Sequence, residues 1–188
     1  MVTTDPGDDE ALIRRIAAGD RAAMQTLYGR HHVRVFRFLV RLVGEASAED
    51  TLSEVFFDVW QQAGRFEARS SVTTWLLSIA RFKALSVLRK RRDVALEPEV
   101  AEAVEDDADT PEVTVQKASK AAVLRHCLDR LSVEHREVID LVYYHERSVE
   151  EVAEILKIPE GTVKTRMFHA RKRLSDILTA AGIDRGWP

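Results

Sequence analysis

Cysteine is almost missing from this chain: Cys127 stands alone among 188 residues. A single thiol excludes an internal disulfide framework and any site built from several cysteine ligands. Long apolar runs are missing as well. No stretch reaches the ~18 apolar residues of a membrane span, and the acidic, polar N-terminus has no basic segment leading into an apolar one. The expectation is a cytoplasmic protein with no direct membrane insertion. No run alternates apolar and polar residues between turns, which argues against strands. There is no glycine loop that would cradle a phosphate, no nucleophile beside a base and no prominent carboxylate pair, so nothing marks an enzyme or a catalytic residue. The histidines (His31, His32, His126, His135, His145, His169) are not spaced as metal ligands beside cysteines or carboxylates. No metal and no cofactor are expected.

What the chain does have is helical periodicity and unevenly spread charge. With 45% hydrophobic residues it can bury one moderate core or two small ones, and the formal net charge of −3 conceals local extremes. Spacings of three and four predict helices over Asp8 to Ala18, from Arg21 to Leu42 with Asp20 as N-cap, and from Ser71 to about Arg92. Ser47-Ala48-Glu49-Asp50 reads as a capping-box start for a further helix carrying Leu52, Val55, Phe56, Val59 and Trp60. Composition then changes abruptly. Val94 to Val113 holds eight acidic residues and no Lys or Arg. Such a segment repels itself and has little apolar surface to bury, so it reads as a flexible linker, with a typical end-to-end distance of roughly 25 Å. Helical spacing resumes after Thr114, with helices at about 115–130, 134–145, 149–157 and 160–180. The fold class expected is all-α, with small helical domains at 1–93 and 114–188 joined by the acidic linker 94–113. Cys127, spaced helically with Leu124, Leu128 and Leu131, belongs in a core.

One stretch carries the most chemistry: "IPEGTVKTRMFHARKRL", Ile158 to Leu174. On a helical wheel Val163, Met167, Ala170, Leu174 and Ile177 share one stripe. Lys164, Thr165, Phe168, His169 and Lys172 lie opposite, and Arg166, Arg171 and Arg173 flank the stripe. The preceding segment "SVEEVAEILKI" has its own apolar face and a capping box, Ser148 with Glu151. Pro159 suits a helix start and disfavours helix at Ile158, so "KIPEG" is a short break. Two short helices, a tight turn and cations opposite the core make a helix-turn-helix, whose second helix enters the major groove. Lys164, Thr165, Phe168 and His169 would meet base edges there, with Phe168 against a thymine methyl, and the arginines would reach phosphates. A solvated basic helix is the plain alternative; the cation density and the scaffold helix favour DNA.

With those residues assembled, the chain resembles the extracytoplasmic-function group of bacterial sigma-70-type factors over nearly its whole length. "DRLSVEHREVIDLVYYHERSVEEVAEILKIPEGTVKTRMFHARKRL" is similar to the family's −35-reading domain, "AEDTLSEVFFDVW" to its core-polymerase-binding helix, and "RFEARSSVTTWLLSIARFKALSVLRKRR" to its −10-reading segment. The family often has Gln then Glu where this chain has Ser53 and Glu54, and Asn then Asp where it has Phe82 and Ser86.

The resemblance implies partners and sites. Core RNA polymerase, promoter DNA and an anti-sigma factor are the partners implied. The −35 set is Glu160, Gly161, Lys164, Thr165, Arg166, Phe168, His169, Arg171 and Lys172. The loop Gly64 to Ser71 precedes a helix N-terminus with free backbone amides, and in the family it holds a flipped −10 base. That makes Phe66, Arg69, Ser70, Ser71, Thr73 and Thr74 candidates, with Arg81, Lys83 and Arg89 as a track for phosphates and separated strands. The polymerase-facing set is Asp50, Ser53, Glu54, Phe57, Asp58 and Gln61, an acidic face suited to a cationic partner. Two other readings stay open at this stage. A stand-alone DNA-binding regulator would share the C-terminal motif but leaves Ala48 to Arg92 unexplained, and a pure interaction bundle leaves the basic helix unexplained.

Overall fold

The structure, a computed structural model, describes residues 6–95 and 126–180. Helix α1 (Pro6–Ala17) leads through Gly19, at φ +87, into α2 (Arg21–Val43). Asp20 caps α2 by accepting from the amides of Ala22 and Ala23. The Ala23 amide and Arg15 hold its carboxyl below the usual carboxylate range.

Helix α3 (Glu45–Gln62) begins earlier than its predicted capping box. Gly44, at φ +79, ends α2 and starts α3 without any side-chain cap. The left-handed turn is open to glycine, so the chain restarts at once and Ser47 falls inside the helix. Its hydroxyl accepts from Arg91 instead. A short 3₁₀ turn, Ala63–Arg65, then leads to the loop before α4 (Val72–Ala95). Leu12, Ile13, Ile16, Leu27, Phe38, Leu39, Val55, Leu76 and Leu77 fill the core among these four helices.

Residues 126–129 are helical and Arg130 turns; residues 115–125 of the predicted helix lie outside the described residues, as does the acidic linker beyond Ala95. Ser132 caps α5 (Val133–Ile139), accepting from the His135 amide. Past Ile139 the chain widens into a π-turn, Asp140–Tyr144, so the helix predicted at 134–145 changes pitch midway. Helix α6 (Val149–Leu156) carries the predicted capping box with both of its hydrogen bonds formed. Lys157, at φ +54, closes it, and α7 (Glu160–Ala180) follows Pro159. Val138, Leu141, Val152, Ile155, Val163, Ala170 and Ile177 form this unit's core. Cys127 is buried with them, and burial pushes its thiol pKa up. The two helical units pack directly on each other, α4 against α6 and α2 against α5.

Candidate nucleic-acid interface

Helix α7 turns its apolar stripe inward and leaves the opposite face open. Val163, Ala170 and Ile177 are buried, while Lys164, Thr165, Phe168, His169, Arg171 and Lys172 are exposed, as are Glu160 and Gly161 at its start. Phe168, 61% exposed, meets the His169 ring edge-on at 5.4 Å. Thr165 donates back to the Gly161 carbonyl at 3.0 Å, and Lys164 lies 3.8 Å from Glu160, a weak surface pair. Arg166 is different. It is half-buried and lies 3.3 Å from Glu134, so it ties α7 to α5 rather than standing free. A cleft of about 520 Å³ beside this face is lined by Arg130, His135, His169, Lys172, Arg173 and Asp176. Arg130, distant in sequence from α7, enlarges its cationic surface in a way that the wheel does not reveal, and His135 joins it in the cleft.

At the start of α4, Phe66 is half-buried with its ring centroid 5.1 Å from that of Trp75. Arg69 is exposed and paired with Glu67 at 2.7 Å; Ser70 and Thr73 are half-buried. Ser71 accepts from the Thr74 amide at 3.2 Å. Thr74 departs from its expected role. It is fully buried and donates to Glu151 Oε1 at 2.8 Å, because α6 packs over this turn. Arg81 is likewise engaged, donating from Nε to Glu137 Oε1 at 2.8 Å. Lys83 sits 3.0 Å from Asp58 and 3.6 Å from Glu54 on α3. Of the predicted −10 cations, Arg89 is exposed with no ion pair among the described residues.

The Thr74–Glu151 and Arg81–Glu137 contacts belong to a seam between the two units. Arg41 pairs with buried Asp140, and its guanidinium lies 3.9 Å over the Tyr144 ring. Arg136 donates to the Arg41 carbonyl at 3.2 Å, and His145 meets Phe38 edge-on at 5.4 Å. Burial pushes the Glu137 pKa up, against the pull of Arg81. Burial also opposes ionisation of Glu151, but the Ser148 amide, the Thr74 hydroxyl and Arg147 outweigh it and hold its carboxyl low. Sequence reasoning missed Glu137, Asp140 and His145; a polar residue at a helical position reads as solvent-facing, and only the long-range partners explain their burial.

On α3, Asp50, Ser53, Glu54 and Gln61 are exposed together with Phe57, at 60%. Asp58 is half-buried against Lys83. An exposed phenyl ring flanked by carboxylates is a surface suited to an apolar and cationic partner. Among the described residues no group of three or more His, Cys, Asp or Glu could hold a metal, and no helix is long and apolar enough to cross a membrane.

The stretches that carry these surfaces are similar to known proteins. The family description "Sigma-70 region 2" matches residues 27–94, from within α2 to the end of α4, and "Sigma-70, region 4" matches residues 121–174. Over 181 residues the chain is 32% identical to the ECF RNA polymerase sigma factor SigL of Mycobacterium tuberculosis, covering 93% of this chain and 99% of that one. The chain belongs to the ECF sigma factors. SigM of the same organism is another such relative, 34% identical over 172 residues and covering 90% of this chain and 84% of SigM. Two solved structures share the fold. RpoE of Bartonella quintana, in complex with the anti-sigma factor NepR, superposes with TM-score 0.70 at 26% identity, covering 82% of this chain and 96% of that one. CnrH, in complex with the cytosolic domain of CnrY, superposes with TM-score 0.69 at 25% identity, covering 92% and 98%. An ECF sigma factor is a transcription initiation factor and not an enzyme; it lends promoter specificity to RNA polymerase.

Proposed function

We propose that this sigma factor works in the cytoplasm, docks on core RNA polymerase through the exposed α3 face, and reads two promoter elements with two separate helices. Asp50, Ser53, Glu54, Phe57 and Gln61 supply the docking face, and Asp58 holds Lys83 beneath it. The exposed face of α7, with Lys164, Thr165, Phe168 and His169, reads −35 base edges, while Arg171 and Lys172 take phosphates. The loop before α4 takes a −10 base beside Phe66, Arg69, Ser70 and Ser71, and Arg89 follows the strand backbone. The domain arrangement is that of 1–93 and 114–188 around the segment 94–113.

The observation that carries this reading is the set of three exposed surfaces on one chain: cationic on α4 and α7, acidic and aromatic on α3. Promoter reading requires more of α4 than the packed form offers, because Glu137 holds Arg81 and Glu151 holds Thr74. The two units therefore separate before Arg81 meets DNA. An anti-sigma factor, the kind of partner seen with RpoE of Bartonella quintana, would act by holding the chain from the promoter. The test is run-off transcription with purified core polymerase and a library of templates randomised at the −10 and −35 segments. Enrichment of a defined pair of elements supports the reading. Transcripts with no enriched element, or none above core polymerase alone, reject it.

A further inference from the structure

The cleft of about 520 Å³ beside α7 shares His169 and Lys172 with the −35 face, while Arg130, Ser132, His135 and Arg173 form the rest of its wall. Base edges meet the N-terminal residues of a recognition helix, here Lys164, Thr165 and Phe168. Lys172 lies about 12 Å beyond Lys164 along the axis. Arg173 stands two turns beyond Arg166, whose pairing with Glu134 marks the side on which α5 packs. The cleft therefore opens on the flank of α7, between two segments far apart in sequence. Its charge is one-sided: Arg130, Lys172 and Arg173 face a single carboxylate, Asp176. Neighbouring acids are committed elsewhere, Asp129 to Arg136 at 3.6 Å, Glu134 to Arg166 at 3.3 Å and Glu160 to Lys164 at 3.8 Å. None of the three cleft cations has an ion pair among the described residues. Ser132 accepts from the His135 amide at 3.4 Å, so its hydroxyl proton is left to donate, and each imidazole offers a further nitrogen.

We propose that this cleft is an effector site for a small molecule bearing an oligophosphate group, and that filling it releases −35 DNA. Small-molecule sites are concave and roughly 300–1,000 Å³ in volume, and this one lies within that range. A cationic stripe along a helix suits the spaced charges of a nucleic-acid backbone. A cluster of donors around one hollow, with a single acceptor among them, suits many charged oxygens on one compact ligand. Adjacent phosphates supply those oxygens, and Arg130 and Arg173 can each take two at once. The release of DNA rests on the −35 assignment above, because His169 and Lys172 serve both ligands. The oligophosphate site itself rests on the cleft alone.

The test titrates the full-length chain with inorganic tripolyphosphate, ATP and inorganic monophosphate by calorimetry. Salt is held at about 0.15 M, where diffuse charge attraction is screened. Tripolyphosphate is expected to fill one saturable site per chain, about 10-fold or more tighter than monophosphate, as additional charge-assisted hydrogen bonds require. Arg130 is exposed, so Arg130→Gln leaves the core intact; it should weaken tripolyphosphate about 10-fold or more, and Arg130→Lys should recover part of the loss. Tighter binding of ATP assigns the ligand to nucleotides, and equal or weaker binding assigns it to inorganic chains; both support the site. In anisotropy measurements with duplex −35 DNA, tripolyphosphate should displace the wild-type chain, and about 10-fold more should be needed for Arg130→Gln. No saturable binding of tripolyphosphate, equal binding of monophosphate, or an Arg130→Gln chain that binds like wild type each overturns the site. If Arg130→Gln loses −35 affinity while tripolyphosphate does not bind, the cleft is an extension of the DNA footprint and the proposal fails. Saturable binding that leaves DNA in place overturns the release. Should the wild-type chain bind no −35 DNA, that assignment falls and the release with it, while the direct titration still decides the cleft.

Discussion

Arg81 on α4 donates to Glu137 on α5 at 2.8 Å, through a carboxylate that is 1% exposed. One ion pair thus joins a predicted DNA contact to the unit proposed above to read the other promoter element. A buried pair deprived of one partner typically costs about 3–5 kcal/mol, because the remaining charge is stranded. Here the chain has a cheaper outcome: the units part and water solvates Arg81. Glu137→Ala is therefore expected to keep its helicity while the radius of gyration from small-angle scattering rises. Binding of the free chain to single-stranded −10 oligonucleotides should rise with it. A variant as compact as wild type, with unchanged oligonucleotide affinity, would show that this pair does not hold the units together.

The limits of sequence reading are visible in the same seam. Glu151 reads as a local cap because Ser148 stands three residues before it, and both capping bonds form. Its carboxylate also accepts from Thr74, 77 residues away, and no periodicity encodes that contact. Glu137, Asp140 and His145 occupy helical positions where a polar side chain normally faces water. They are buried because Arg81, Arg41 and Phe38 approach from the other unit. By contrast, the stripe Val163, Ala170, Ile177 and the exposed positions opposite it were fully legible, since one helix sets both. Start points were legible where a side chain caps, as at Asp20, and misplaced where Gly44 turns the chain by backbone alone.

For α7 the expected outcome is a division between readers and holders. Lys164→Ala and His169→Ala should each shift preference among −35 sequences, by about 1–3 kcal/mol for a well-made base contact. Arg171→Ala and Lys172→Ala should weaken all sequences alike and lower the salt slope of binding by about one each. Arg166→Ala should move melting temperature slightly and base preference not at all, because its partner is Glu134. Binding isotherms on a panel of −35 variants at two salt concentrations decide; identical profiles for all five variants would remove the base-reading role.

On α3, Asp50 and Glu54 are exposed, so reversing both charges leaves the core untouched. Asp50→Arg with Glu54→Arg should shift stability by roughly 0.5 kcal/mol or less, Lys83 keeping its pairing with Asp58. Core-polymerase association should nevertheless collapse, since like charges across a contact cost about several kcal/mol. Pull-down and thermal melting of the same sample settle the matter. A normally melting double variant that binds core as wild type does would place the docking face elsewhere.

The N-terminal unit carries a pH response of its own. His31 is buried on α2 with Nε2 at 2.7 Å from Asp9 Oδ2, and Asp9 also pairs with Arg30 at 2.8 Å. Burial pushes the imidazole pKa down; Asp9 pulls it back up, while Arg34 and Arg30 push it further down, and the net direction is below 6.5. The folded chain therefore binds fewer protons at this site than the unfolded chain, whose imidazole titrates at about 6.5. Stability from this group is fully present above that value and is lost as pH falls through it toward the folded pKa. One proton sets the steepest slope, about 1.4 kcal/mol per pH unit. Glu137 has the opposite sign, since its raised pKa makes ionisation costly as pH rises, so the comparison must be between variants rather than between pH values alone. The melting temperature of the wild type should hold from about pH 8 to 7 and drop below 6.5, and His31→Gln should flatten that drop while leaving Glu137 to act unaltered. If His31→Gln shows the same slope as wild type between pH 7 and 5.5, the buried imidazole is not the group that titrates.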